Sequence, residues 1–291
     1  MLRRPFLEID VFTAEAYRGN ALAVVADGQG LDQAQMQQFA RWTNLSETCF
    51  LLPPSDPAAD YQVRIFTPNS ELRFAGHPTL GACHAWLARG GVPRDPLVIV
   101  QQCGLGLVPL RREGSRLGFL APPLKTAPVP EPLLASVVAA LGLAPAAVQQ
   151  AHWLENGPRW LALLVDSART VLALEPDHGL LRNLANVGLI GPYAPGDAAP
   201  LGADGTPVDF EVRAFVDPEN VPEDPVTGSL NAALGQWLIG AGLLPGRYQV
   251  SQGTRLQRAG RVHISSVGRG AQLEVWVSGD CVTCVDGSVL L

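Results

Sequence analysis

Two segments of this chain hold residues whose types and spacing suit anion binding and proton transfer. In residues 64–87 the pair His77-Pro78 is followed three positions after the Pro by Gly81. In residues 213–238 the pair Asp224-Pro225 is followed in the same way by Gly228. Both segments open with Arg, an apolar residue and Phe: Arg64-Ile65-Phe66 and Arg213-Ala214-Phe215. Each ends in an apolar run that contains Trp. Pro is favoured at the first position of a helix, where its missing N–H costs nothing, so His77 and Asp224 are expected as N-caps of two helices. Asp caps well and His poorly, which points to another job for a His placed there. The first turn of a helix leaves backbone N–H groups unpaired and carries the positive end of the helix dipole. Two such ends would hold a carboxylate and stabilise negative charge that develops in a reaction.

Glu47 is a third candidate. It stands between Ser46 and Thr48, just before the apolar run Cys49-Phe50-Leu51-Leu52. A carboxylate at the mouth of a buried strand would be desolvated, which raises its pKa toward the value a general acid/base needs. At an exposed strand end it would simply be solvated, and the local sequence leaves both open. The same holds for His77, either a satisfied buried histidine or a functional one. Asp224 is likewise either a helix cap or a carboxylate that binds a ligand.

The elements around these residues must bring them into place. Neither 79–87 nor 226–242 contains Asp, Glu, Lys or Arg, as expected of helices buried on most faces. The two junctions recur at about half the length of the 291-residue chain, which suggests a duplicated domain with a site between the halves. Strands are expected over 7–12, 21–25, 48–52 and 61–66, and two or three more over 96–120. A helix is expected over 32–42, with Asp32 as cap and Gln35 completing a capping box. Prolines at 122, 123, 128, 130 and 132 make 121–132 the best linker candidate. Beyond it, a helix is expected over 133–141, strands over 160–165, 170–174 and 210–215, and a short helix over 180–186. Alternating segments at 247–252, 261–267, 273–277 and 281–285 read as strands, the last a candidate to pair back onto the first half. The expected fold is α+β, with two pseudo-symmetric lobes, each a barrel-like sheet around a central helix. The lobes would span 1–120, with 280–291 a candidate to complete it, and 130–279.

Composition narrows the function. The chain is 47% hydrophobic and 16% charged, enough to bury two sizeable cores. A net charge of −6 and a pI near 5.4 argue against a nucleic-acid partner. No run of about 20 apolar residues suggests a membrane span, and no signal-peptide core follows the N-terminal arginines, so a cytoplasmic protein is expected. Five cysteines, an odd number, do not suggest a disulfide framework. Cys281 and Cys284 form a CxxC without a second ligand pair to complete a zinc site. Ordinary core cysteines are expected, and neither a metal nor a nucleotide-binding loop is visible.

The chain resembles the phenazine biosynthesis PhzF family, which shares the diaminopimelate epimerase fold. The resemblance covers nearly the whole sequence. It rests on Ile9-Asp10-Val11-Phe12-Thr13, Gly19-Asn20, Ser46-Glu47-Thr48, Phe74-Ala75-Gly76-His77-Pro78-Thr79 and Glu223-Asp224-Pro225-Val226-Thr227-Gly228-Ser229, in this order and spacing. The chain departs from the family's usual pattern at Ala21 (often Pro), at Arg73 (often Pro) and at Leu230-Asn231 (often Ala-His). The last two departures flank the expected site and bear on the substrate.

The resemblance implies an isomerase that needs no cofactor and acts on a small carboxylate-bearing molecule, as in trans-2,3-dihydro-3-hydroxyanthranilate isomerisation. It also implies a cleft between the lobes and usually a homodimer. By the same resemblance Glu47 carries a proton from one substrate carbon to another, and His77 and Asp224 bind the substrate across the cleft. Gly76, Gly228 and Ser229 would let the backbone approach the ligand and donate hydrogen bonds; the glycines could instead serve unusual dihedrals. Two rivals stand beside this reading. One is a small-molecule binding protein of the same fold. The other is an amino-acid racemase or epimerase, disfavoured because His77 and Asp224 occupy the places of the paired thiols those enzymes use.

Overall fold

In the computed structural model, which describes residues 1–219 and 221–291, the chain divides into two compact units. The first holds 1–120 and 278–291, the second 121–277. The first unit runs β1 (Arg3–Val11), β2 (Asn20–Val25), α1 (Gln33–Thr43), β3 (Thr48–Leu52), β4 (Tyr61–Phe66), β5 (Glu71–Leu72), α2 (Gly76–Ala88), β6 (Val98–Cys103), β7 (Gly106–Glu113) and β8 (Arg116–Leu120). The second holds β9 (Lys125–Pro128), α3 (Glu131–Ala140), β10 (Val148–Glu155), β11 (Arg159–Val165), α4 (Ala168–Ala173), α5 (His178–Leu181), β12 (Val187–Pro192), β13 (Phe210–Phe215), α6 (Gly228–Gly240), β14 (Arg247–Gln252) and β15 (Gly260–Val267), and β16 (Glu274–Gly279) runs from its end into the first. A last strand, β17 (Cys281–Leu290), pairs antiparallel with β1 in the first unit.

One pairing scheme occurs twice. In the first unit β1–β2 is antiparallel, β2–β3 parallel, β3–β4 antiparallel, β4–β6 parallel and β6–β7 antiparallel. In the second, β10–β11, β11–β12, β12–β13, β13–β14 and β14–β15 repeat the same alternation. The parallel steps need a crossover, and α1 with α2, then α4–α5 with α6, supply them. The duplication read from the two junctions is therefore a duplication of topology.

Each central helix is apolar because it is enclosed. Helix α2 packs on β1, β2, β3, β4, β8 and β17, so the sheet of the first unit curls around it. Leu80, Gly81, Ala82 and Cys83 are buried there. Gly81 lets the backbone approach the sheet: a Cβ at this position would lie 2.4 Å from Leu22 Cδ2 and 3.0 Å from Val11 Cγ2. In the second unit α6 packs on β10 and β15, with Leu230, Ala232, Ala233 and Leu234 buried.

Several expectations need correction. Residues 170–174, expected as a strand, lie in and just after α4. The Ser167 hydroxyl accepts from the Thr170 N–H at 3.1 Å and starts a helix that the β-branched pair Thr170-Val171 disguised. Strands β10 and β12 were not expected at all. The Pro-rich stretch is not a plain linker, because β9 within it pairs antiparallel with β10 and α3 begins at Glu131. Among the described residues, no helix is long and apolar enough to cross a membrane.

Candidate active site

Glu47 reaches its place through α1. Asp32 caps this helix, its Oδ1 accepting from the Gln35 N–H at 2.8 Å, while Gln35 Oε1 accepts from the Asp32 N–H at 2.9 Å. Asn44 ends the helix in a left-handed turn with φ 56°, a conformation Asn adopts more readily than most residues. The turn that follows is bracketed by the Thr43 and Thr48 hydroxyls, 2.9 Å apart. Thr43 donates to the Ala40 carbonyl at 3.0 Å, so Thr48 is the donor within the pair. Glu47, next to Thr48, keeps 15% of its side chain exposed.

His77 is not a cap. Helix α2 begins one residue earlier, with Ala75 as N-cap and Gly76 as first helical residue. None of the first four N–H groups of a helix has an intrahelical partner, so Pro78 fits at the third position as well as at the first. His77 is therefore inside the first turn and buried. No side chain caps this helix and no acidic residue stands in its first turn.

The His77 ring donates to the backbone carbonyl of Ala21. That carbonyl belongs to β2, where Ala21 pairs with Asp10 of β1. Asp10 also accepts from the Gly19 N–H at 2.9 Å and so closes the β1–β2 loop. Gly19 is required there, since a Cβ would lie 2.2 Å from the Val11 carbonyl oxygen. Burial pushes the His77 pKa down to about 3, against the opposing effect of the Ala21 hydrogen bond, so the ring is neutral near pH 7. A neutral imidazole that donates through one nitrogen accepts through the other. His77 Nε2, which has no hydrogen-bond partner, lies 3.6 Å from Glu47 Oε2. The first unit thus brings Glu47, Gly76 and His77 together.

In the second unit Asp224, Gly228 and Ser229 lie along one loop and helix start. Asp224 is not the cap either: α6 begins at Gly228, with Thr227 as N-cap. The Asp224 N–H is held on β13 by the Ala214 carbonyl at 2.9 Å, so the chain needs three more residues to reach the helix axis. The Asp224 carboxylate accepts from the Thr227 hydroxyl at 2.5 Å. Gln252 of β14 then fixes Thr227, its Oε1 accepting from the Thr227 N–H at 3.0 Å and its Nε2 donating to Thr227 Oγ1 at 2.9 Å. Asn231, at the departure from the family pattern, donates to Gln252 Oε1 at 2.8 Å and to the Thr227 carbonyl at 2.9 Å. Ser229 accepts through its carbonyl from Asn156 at 2.8 Å. Like α2, α6 starts without a side-chain cap and without an acidic residue in its first turn.

Sequence reading missed Thr227, Gln252 and the Ala21 carbonyl. Thr227 had a signal, as a hydroxyl directly before a glycine that opens a helix. Gln252 and the Ala21 carbonyl had none, because one acts from a distant strand and the other is main chain. Arg73, one of the departures from the family pattern, is exposed and donates through Nε to the Gly104 carbonyl at 3.1 Å. Cys83 lies in the middle of α2, and burial pushes its thiol pKa up to about 12. A thiol held protonated does not suit thiolate racemisation.

Comparison with known proteins gives the family and the fold. The family of phenazine biosynthesis-like proteins (PhzC-PhzF) matches residues 9–287. The antisense-enhancing sequence 1 protein of Schizosaccharomyces pombe is 36% identical, over 99% of this chain and 99% of that protein. The trans-2,3-dihydro-3-hydroxyanthranilate isomerase of Pseudomonas aeruginosa is 31% identical, over 98% of this chain and 99% of the enzyme. A crystal structure of a PhzF-family phenazine biosynthesis protein from Bacillus anthracis shares the fold, with a TM-score of 0.84 at 20% identity and complete coverage of both chains. The chain belongs to the phenazine biosynthesis-like protein family and is an isomerase.

Proposed function

We propose that this isomerase moves a proton between two carbons of a small carboxylate-bearing substrate without a cofactor. Glu47 is the acid/base, and His77 and Asp224 bind the substrate's polar groups. The observation that carries this is the facing of Glu47 Oε2 and His77 Nε2 at 3.6 Å, beyond a direct hydrogen bond and within reach of one substrate group between them. Glu47 removes a proton from one carbon, the substrate's double bond shifts, and the same carboxyl returns a proton to the other carbon. No electrons are gained or lost overall. Neutral His77 accepts a hydrogen bond from substrate through Nε2. The uncapped first turns that begin at Gly76 and at Gly228-Ser229 donate N–H groups to the substrate carboxylate or to charge that builds up during the shift.

The relative named as a trans-2,3-dihydro-3-hydroxyanthranilate isomerase makes that compound the probe. Proton NMR in D2O would follow it with wild-type protein and with Glu47→Gln. Isomerisation with deuterium at the receiving carbon, lost in Glu47→Gln, is the expected result. Equal turnover by the variant would remove Glu47 from the chemistry. Homodimeric assembly and a cytoplasmic location belong to the same proposal. Light scattering against the 30.9 kDa chain mass checks the first.

A further inference from the structure

The Arg-x-Phe openings of the two junctions have no part in the chemistry above, yet the fold uses both alike. Arg64 forks onto Glu71, with Nε to Oε1 at 2.7 Å and Nη2 to Oε2 at 2.6 Å. Its guanidinium lies 5.1 Å from the ring centre of Phe66. Arg213 forks onto Glu223, with Nε to Oε1 at 3.0 Å and Nη2 to Oε2 at 2.7 Å, and lies 4.9 Å from the Phe215 ring centre. In each unit an arginine of the strand that opens the junction, β4 or β13, grips the segment that leads to the central helix.

The copies differ in two respects that matter together. The Arg64–Glu71 side chains are 24% and 30% exposed, the Arg213–Glu223 side chains 5% and 7%. Glu71 is well separated from His77 in sequence, whereas Glu223 directly precedes Asp224. The tight copy is the one whose glutamate adjoins a site residue. Arg213 also spends its remaining nitrogen, Nη1 donating to the Leu174 carbonyl at 2.9 Å and the Val171 carbonyl at 3.2 Å. The loop is thereby tied to the end of α4. A buried ion pair is a poor source of net stability, because desolvation offsets its attraction. What it supplies is a fixed geometry, and Arg with its planar fork fixes more than Lys can.

We propose that Arg213 is a positioning residue: by holding Glu223 in two-point contact it fixes the carboxylate of Asp224 for substrate binding. This rests on the reading of Asp224 as a substrate-binding group. The test uses Arg213→Lys, which keeps the charge and loses the fork. Glu223→Gln is the second variant, in case the first does not fold. The first readout needs no substrate. In protein labelled with carboxyl-13C aspartate, the Asp224 signal, assigned through Asp224→Asn, is expected to shift and to titrate at a different pH in either variant. It should stay unchanged in Arg64→Lys. An unmoved Asp224 signal in folded Arg213→Lys and Glu223→Gln overturns the proposal.

The second readout is turnover of trans-2,3-dihydro-3-hydroxyanthranilate. Arg213→Lys is expected to raise KM about tenfold with a smaller change in kcat. Added to Asp224→Asn it should cost little more, since both act through one group. Fully additive losses would overturn the proposal. Wild-type kinetics in Asp224→Asn, with the 13C signal still displaced by Arg213→Lys, would instead sink the reading of Asp224 and leave the positioning intact.

Discussion

Glu47 Oε2 and His77 Nε2 stand 3.6 Å apart, one on the turn after α1 and the other in the first turn of α2. The distance is too long for a direct hydrogen bond and short enough for one shared group. The Ala21 carbonyl takes the proton on the far side of the ring, so the near side is an acceptor. Replacing Glu47 by Gln is therefore expected to lower kcat by about 10²–10⁴-fold, with a thermal midpoint close to wild type. Steady-state kinetics and calorimetry on the same preparation check it, and a fall in stability that matched the loss of activity would refute it.

His77 also links stability to pH. Its folded pKa is depressed to about 3 from an ordinary value of 6.5. Between those values the unfolded chain binds the proton and the folded one does not. The contribution of the neutral, buried ring is thus complete above about pH 6.5 and is lost as pH falls toward 3. His77→Gln lacks this titration. The stability of wild type relative to the variant should decline on going from pH 7 to pH 4, as measured by urea unfolding at several pH values. A constant difference would show that His77 is not held neutral.

Cys83 is expected to be silent. Its thiol is buried within α2 and pushed up to about 12, and burial also raises Cys49. Iodoacetamide at pH 8 should not inactivate the folded enzyme. Cys83→Ala should keep turnover and lose about 1 kcal/mol of stability through the small cavity left behind. Loss of activity without loss of stability would reopen a thiol mechanism.

Gly81→Ala probes the close approach of α2 to the sheet. The added methyl would meet Leu22 at 2.4 Å, a contact only movement can relieve. A cost of about 1–3 kcal/mol is expected, partly recovered by Leu22→Ala in the double variant. Chemical denaturation of the four proteins measures the coupling, and strict additivity would place the strain elsewhere.

Much of this arrangement could be read from residue order, and the failures have physical causes. Strands 48–52, 61–66 and 210–215 and the Asp32–Gln35 capping box were legible because local pattern and local contacts agree there. The two caps were misplaced because a Pro shows only that a first turn is near. Where the turn begins depends on long-range contacts, such as Asp224 to Ala214 and Thr227 to Gln252. Strand β12 was invisible because Gly188 and Gly191 interrupt its apolar run. Both glycines are there for crowding: a Cβ at Gly188 would lie 2.3 Å from Leu230 of α6, and one at Gly191 the same distance from the Ser167 carbonyl. The paired Arg forks were half legible, since the Arg-x-Phe repeat was plain while its glutamate partners sit at different spacings.

The pairing of β17 with β1 has a consequence for the order of events in synthesis. Arg3 to Val11 leaves the ribosome long before Cys281 to Leu290, and one edge of it stays open until that later strand arrives. The unit that carries Glu47 and His77 is thus begun first and closed last, while the intervening unit has every partner strand at hand sooner. During that interval β1 offers unpaired backbone to any strand nearby. A chain released before residue 281 would keep a whole second unit and a first unit that cannot close around its helix.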